Sequence, residues 1–127
     1  MAAISIIGGL PFVSVRIYAN GSSMVLHHVL LDTGSAARAF PTDALEDIGV
    51  RLAPTDIIQE MIGIGGSEYV VEKRITAIEV GGLKSSEIIV QLGKLDYSTS
   101  MNGILGFDFL LQTGAVIDLK ALDIRKG

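Results

Sequence analysis

Asp32, Thr33, Gly34 and Ser35 stand together directly after the apolar run Val29-Leu30-Leu31. Asp32 is the group among them suited to proton transfer, as a general acid or a general base. A carboxylate at the end of an apolar strand is partly desolvated, which makes its partners matter. The Thr33 hydroxyl can lock a neighbouring loop through hydrogen bonds. Gly34 allows a tight turn and a close approach by a ligand or a second chain. A plainer reading of the same residues is a strand-end turn in which Asp32 caps its own loop. Ser35 could serve as a nucleophile only beside an activating base, and neither His27 nor His28 stands in a triad context.

A second group is Ile62, Gly63, Ile64, Gly65 and Gly66. Its glycines permit the backbone angles of a mobile hairpin tip. An ordinary glycine-rich hairpin has the same composition. The segment is not a phosphate loop, because the last glycine of Gly-x-Gly-x-x-Gly would fall at Glu68. His27 and His28 are neighbours in a predicted strand, so they are expected on opposite faces and cannot share a metal. No metal or organic cofactor is called for. Asp43, Glu46 and Asp47 read as a solvated helix face with favourable charge near its start. Asp118 lies in an apolar strand and is expected to cap a loop.

The elements that must hold these residues follow from periodicity and turn chemistry. Val13, Val15 and Ile17 alternate with Ser14 and Arg16, which predicts a half-buried strand over 12–18. Asn20-Gly21 turns it into a second strand over 24–31, making a hairpin that delivers Asp32 at its end. Thr42 is placed to cap a short helix through Ile48, closed by Gly49. Strand-like segments follow over 55–64 and 69–80. Gly81-Gly82 turns the latter into a strand over 87–92, and 93–100 reads as a loop. Ile104-Leu105 is a short buried strand ending at Gly106, and 107–112 is a brief helix. A small hairpin, 115–119 with 122–124, finishes the chain. Leu30-Leu31-Asp32-Thr33-Gly34 and Gly103-Ile104-Leu105-Gly106 each end a buried strand at a glycine before a short helix. That internal echo suggests a β-barrel with two related halves.

Composition narrows the classes. The chain has 127 residues, enough for one domain with its own core, and 49% of them are apolar. There is no cysteine, so disulfides, thiolate metal sites and cysteine nucleophiles are excluded. The net charge is −4 and the basic residues are scattered, which disfavours nucleic acid as a partner. No apolar run reaches bilayer length. The apolar start, Met1 to Val15, lacks a positive leader and is broken by Gly8, Gly9 and Pro11; it reads as mature sequence of a cytoplasmic protein. Asn20-Gly21-Ser22 matches a glycosylation acceptor, a reading with little weight without a secretion signal.

Three segments occur in order: Leu30-Leu31-Asp32-Thr33-Gly34-Ser35, Met61-Ile62-Gly63-Ile64-Gly65-Gly66 and Asn102-Gly103-Ile104-Leu105-Gly106. Together they resemble the retropepsin-like aspartic protease family over about Phe12 to Ile124. The resemblance implies an all-β fold, a closed acid-protease barrel with one or two short helices and a glycine-rich flap hairpin, in a single domain over 1–127. It implies that Asp32 is catalytic, that Thr33 joins hydrogen bonds between two active-site loops, that Gly34 contacts substrate backbone and that Ser35 supports Asp32. Ile62, Gly63, Ile64, Gly65 and Gly66 would form the flap tip. Ile104, Leu105 and Gly106 would brace the catalytic loop, with Ala36, Ile62, Ile64 and Ile104 beside apolar substrate pockets.

The chain departs from the retroviral pattern where that pattern pairs an acid with an arginine to support the dimer. Those positions hold Ala36 and Phe107, so both charges are absent together and neither is orphaned. The chain also carries a single Asp-Thr-Gly. An active enzyme therefore needs a second copy, and the expectation is a homodimeric aspartic endopeptidase acting on a peptide or protein substrate. The rival expectation is a non-catalytic peptide- or protein-binding module on the same barrel, monomeric or weakly dimeric.

Overall fold

The computed structural model describes residues 1–63, 66–95 and 101–127. Its strands are β1 (Ala2–Ala3), β2 (Ser5–Ile7), β3 (Leu10–Ala19), β4 (Ser22–Asp32), β5 (Arg38–Pro41), β6 (Ile58–Gly63), β7 (Gly66–Val80), β8 (Leu83–Gly93), β9 (Gly103–Gly106), β10 (Ala115–Asp118) and β11 (Asp123–Lys126). One α-helix, α1 (Phe107–Thr113), lies between β9 and β10. The larger sheet runs β2-β3-β4-β9-β5-β8-β7-β6, and β3 also pairs with β7. That extra pairing closes β3, β4, β9, β5, β8 and β7 into a six-stranded barrel, as an all-β acid-protease fold requires. Closure leaves β2 and β6 outside the ring. The chain ends pair separately, in the order β1-β11-β10.

The β3–β4 hairpin forms where its turn residues demand it. Asn20 and Gly21 both have positive φ, at 53° and 75°, the requirement of a two-residue turn that follows strand twist. Val13, Val15 and Ile17 point inward and Ser14 and Arg16 outward, as alternation predicts. The histidines correct the simple strand rule. Val13 faces Val29 but Val15 faces Leu26, so β4 carries one extra residue there. His28 takes that bulge at φ 59°. Leu26 and Val29 therefore both reach the core, and His27 and His28 are both exposed. Asn102 pins the bulge: its amide nitrogen donates to the His28 carbonyl (2.9 Å) and its Nδ2 to the His27 carbonyl (2.8 Å). Ser14 Oγ lies 2.7 Å from His27 Nδ1.

The segment after β5 also differs from expectation. Thr42 does not cap a helix. Residues 42–45 are turns, and Glu46–Ile48 is one 3₁₀ turn closed by Gly49 in the left-handed region. Its bonds run three residues back, as from Ile48 N to Leu45 O (3.2 Å). Leu45 and Ile48 are both buried, and the 3₁₀ repeat of three puts them on one side. Asp43, Glu46 and Asp47 are exposed there.

The main core contains Val15, Ile17, Leu31, Phe40, Leu45, Leu105 and Phe109. A smaller cluster joins Phe12, Leu30, Ala37, Ala39, Met101 and Ile104. Leu31 and Leu105 thus serve one cluster while their neighbours Leu30 and Ile104 serve the other. This two-sided burial is why both segments read as unbroken apolar runs. At the C-terminal end, Asp118 Oδ1 accepts from Lys120 N and Ala121 N, both at 2.9 Å, and so caps the β10–β11 turn. Among the described residues, no helix is long and apolar enough to cross a membrane.

Candidate active site

β4 and β9 run parallel, with Leu31 opposite Leu105 and Asp32 opposite Gly106. Asp32 therefore leaves the barrel beside the last residue of a strand that is buried throughout. The loop that follows is shaped from within. Gly34 N donates to Asp32 Oδ1 (3.0 Å) and Ser35 N to Asp32 O (3.2 Å). Ser35 Oγ accepts from Ala37 N (3.1 Å), so this hydroxyl shapes the loop that carries Asp32. Asp32 is half-buried, and Thr33 and Gly34 are exposed. The plainer sequence reading is present too, since Asp32 does cap its own turn.

Gly106 determines how close the loop comes. A Cβ there would press on the carbonyl oxygens of Ser35 and Ala37 and lie 2.9 Å from Ala37 N. Phe107 N donates to Ser35 O (2.5 Å), and Arg38 and Ala39 of β5 pair with Leu105 and Ile104. β9 is thus wedged between the strand that enters the loop and the strand that leaves it. Ile104 is 4% exposed and packs in the smaller cluster, so it does not line an open pocket. Ala36 is exposed.

Beside the loop, an open groove of about 300 Å³ is lined by Thr33, Phe107, Leu110, Leu111, Gly114, Ala115 and Ile117. Phe107 is 48% and Leu111 69% exposed. A second groove, of about 210 Å³, is lined by Ala2, Ala3, Ser5, Phe12, Val13, Ser14 and His28.

These features converge on one family. A model of the aspartyl protease family matches residues 13–109, from the first barrel strand through β9 into α1. The chain belongs to the aspartyl protease family. This family of the retropepsin-like clan is one of peptide hydrolases, and its matched region includes the Asp32 loop, the glycine-rich segment and Gly106. A search of curated proteins found no match to the chain.

Of the expected aspartyl-protease flap, Ile64 and Gly65 lie outside the described residues. The strands on either side are described: β6 pairs antiparallel with β7 from Ile58↔Val71 to Gly63↔Gly66. Residues 58–61 of β6 are all exposed. With neither face of that stretch in the core, it is held by its ladder and by Gln59, whose Nε2 donates to Glu72 Oε1 (2.9 Å). Its base is tied by Asp56, whose Oδ1 accepts from Lys73 Nζ (2.6 Å) and whose Oδ2 accepts from Ala53 N (2.5 Å). The Lys73 ammonium, and next the Ala53 amide, hold the Asp56 carboxyl below the usual carboxylate range. The depressed folded-state value means the tie contributes fully above the ordinary aspartate value, about 3.9. It is lost as pH falls through the lower folded value. Asp56→Asn is expected to flatten the acid side of the stability profile below about pH 4 while leaving it unchanged near neutrality in shape. Urea midpoints measured across pH 2.5–7 check this; parallel acid limbs for both proteins would contradict it.

Sequence reasoning missed Arg38. Its Nε donates to Ile89 O (2.8 Å), its backbone N to Gln91 Oε1 (3.1 Å), and its guanidinium is ion-paired with Asp108 of α1. The available signal was an arginine opening an otherwise apolar stretch, Arg38-Ala39-Phe40.

Proposed function

We propose that the chain is a homodimeric aspartic endopeptidase in which two Asp32 carboxylates face each other across a twofold axis. The observation that carries this reading is a lone Asp-Thr-Gly loop, exposed at the end of the parallel β4–β9 pair, beside an unpartnered apolar groove. A single carboxylate cannot act as acid and base in the same step, so the site is incomplete in one copy. Twofold pairing repeats every contact and brings one loop to its own twin. The groove containing Thr33, Phe107 and Leu111 supports placing the second copy there.

Two carboxylates at that range share one proton. The ionised Asp32 takes a proton from a water held between them. The water oxygen attacks the scissile carbonyl carbon while the protonated Asp32 gives its proton to the carbonyl oxygen. Proton transfer to the amide nitrogen then lets the C–N bond break, and the shared proton is restored. Thr33 would bond the twin loop, and Gly34 would meet substrate backbone. The β6–β7 hairpin, with Ile62, Gly63, Ile64, Gly65 and Gly66 at its end, would close over an extended peptide as a flap. Exposed Ile57 and Ile58, at 77% and 68%, favour apolar contact on that arm.

The test combines mass and activity. Light scattering with peptide present is expected to give twice the 13.4 kDa chain mass, and a peptide library at mildly acidic pH is expected to yield internal cleavages. A strict monomer that binds peptides without cutting them would establish the binding-module reading instead.

A further inference from the structure

We propose that the Arg38–Asp108 ion pair is the positioning device for the Asp32 loop, a role that rests on the endopeptidase reading only for its catalytic consequence. The bonds within the loop set its shape but not its place on the barrel. Its place depends on external ties. One is the bond from Phe107 N to Ser35 O (2.5 Å). The β4–β9 and β5–β9 ladders hold the loop's two ends, and the side-chain ties gather at Arg38, the first residue after the loop, which reaches two elements at once. Its Nε donates to Ile89 O of β8 and its terminal nitrogen pairs with Asp108 at the start of α1, 70 residues away. Asp108 is held in turn, because its Oδ1 accepts from Phe109 N (2.8 Å).

The two ties to α1 use adjacent residues, Phe107 and Asp108, and grip adjacent parts of the chain, Ser35 and Arg38. Movement of the loop away from α1 must break both. The Arg38 side chain is 16% exposed and that of Asp108 37%, so the cation is sheltered while the carboxylate stays partly in solvent and open to screening by salt. The guanidinium meets a carbonyl from Nε and a carboxylate from a terminal nitrogen in one rigid plane, a spacing that a single ammonium nitrogen does not reproduce. Ala36 and Phe107 hold the positions where the resemblance placed an acid and an arginine. In this chain the pair stands two residues and one residue further on, with its polarity exchanged: the loop side carries the cation and the helix side the acid.

The test uses full-length Arg38→Met, Asp108→Asn, the double variant and Arg38→Lys. Two readouts are followed: steady-state kinetics, and amide hydrogen exchange over 33–37 with the β3–β4 hairpin as internal reference. Each single neutral variant is expected to lower kcat about 10- to 100-fold with KM within about twofold, the scale of a misplacement near 1 Å. Exchange over 33–37 should quicken while the reference does not change. The double variant should be no worse than the worse single one, because both remove the same tie. Arg38→Lys should fall between wild type and Arg38→Met, and it keeps the test open if the methionine variant does not fold. Unchanged loop exchange, strictly additive losses, or full activity in both single variants would overturn the proposal. If the wild type cuts no peptide but loop exchange responds as described, the tie stands and the endopeptidase reading falls.

Discussion

Asp32→Asn is expected to lower peptide cleavage at least about 1,000-fold and to leave the fold intact. In a twofold dimer one substitution replaces both carboxylates. General acid and general base roles are each worth about 100- to 10,000-fold, and an amide performs neither. The structural role of the side chain survives, because its one hydrogen bond among the described residues is accepted by Oδ1 from Gly34 N, and an amide oxygen accepts the same bond. Stability should therefore stay within about 0.5 kcal/mol of wild type, as for ordinary half-exposed positions. Parallel measurement of cleavage rate and urea midpoint separates the two effects. Wild-type cleavage by the asparagine variant would remove Asp32 from the mechanism. Loss of cleavage together with unfolding would instead make Asp32 structural.

Gly106→Ala is expected to lower stability by about 3 kcal/mol and to abolish whatever cleavage the wild type shows. The cause is not backbone conformation. Gly106 has φ −90°, which any residue adopts. The cause is close approach, since the added Cβ would lie against Ser35 O, Ala37 O and Ala37 N. These are backbone atoms of the Asp32 loop, held by the β5–β9 ladder, and cannot swing aside as a flexible side chain can. Relief requires the loop to lift, which moves Asp32. Gly21→Ala is the contrasting control. Gly21 has φ 75° but open space around its Cβ, so its cost is conformational, about 1 kcal/mol, and falls at the opposite end of β4 from Asp32. Denaturant midpoints and cleavage rates of the two variants check the claim. Equal, small losses in both would show that the approach at Gly106 is not tight.

The sequence was informative where the signal is local. Asn20-Gly21 and Gly81-Gly82 marked two hairpins because tight turns need positive φ, and all four residues have it. Leu30-Leu31 and Ile104-Leu105 were too apolar for one-sided strands, and each pair serves two clusters. The short helix after Gly106 and the cap at Asp118 were legible for the same local reason. Alternation failed at His27 and His28, because a bulge depends on how many residues the partner strand supplies. The Thr42 cap failed because the spacing of Leu45 and Ile48 toward the core favoured a 3₁₀ turn.

Asp32 at the end of a buried strand, the glycine-rich segment and Gly106, in that order, were determined by the sequence alone, since each is written in consecutive residues. Only the tertiary structure decided what stands beside them. It set Asp32 opposite Gly106 in a parallel pair, turned Ser35 Oγ to Ala37, and joined Arg38 to Asp108 across 70 residues. Such pairings depend on the register of strands far apart in the chain, and barrel closure, not local periodicity, sets that register.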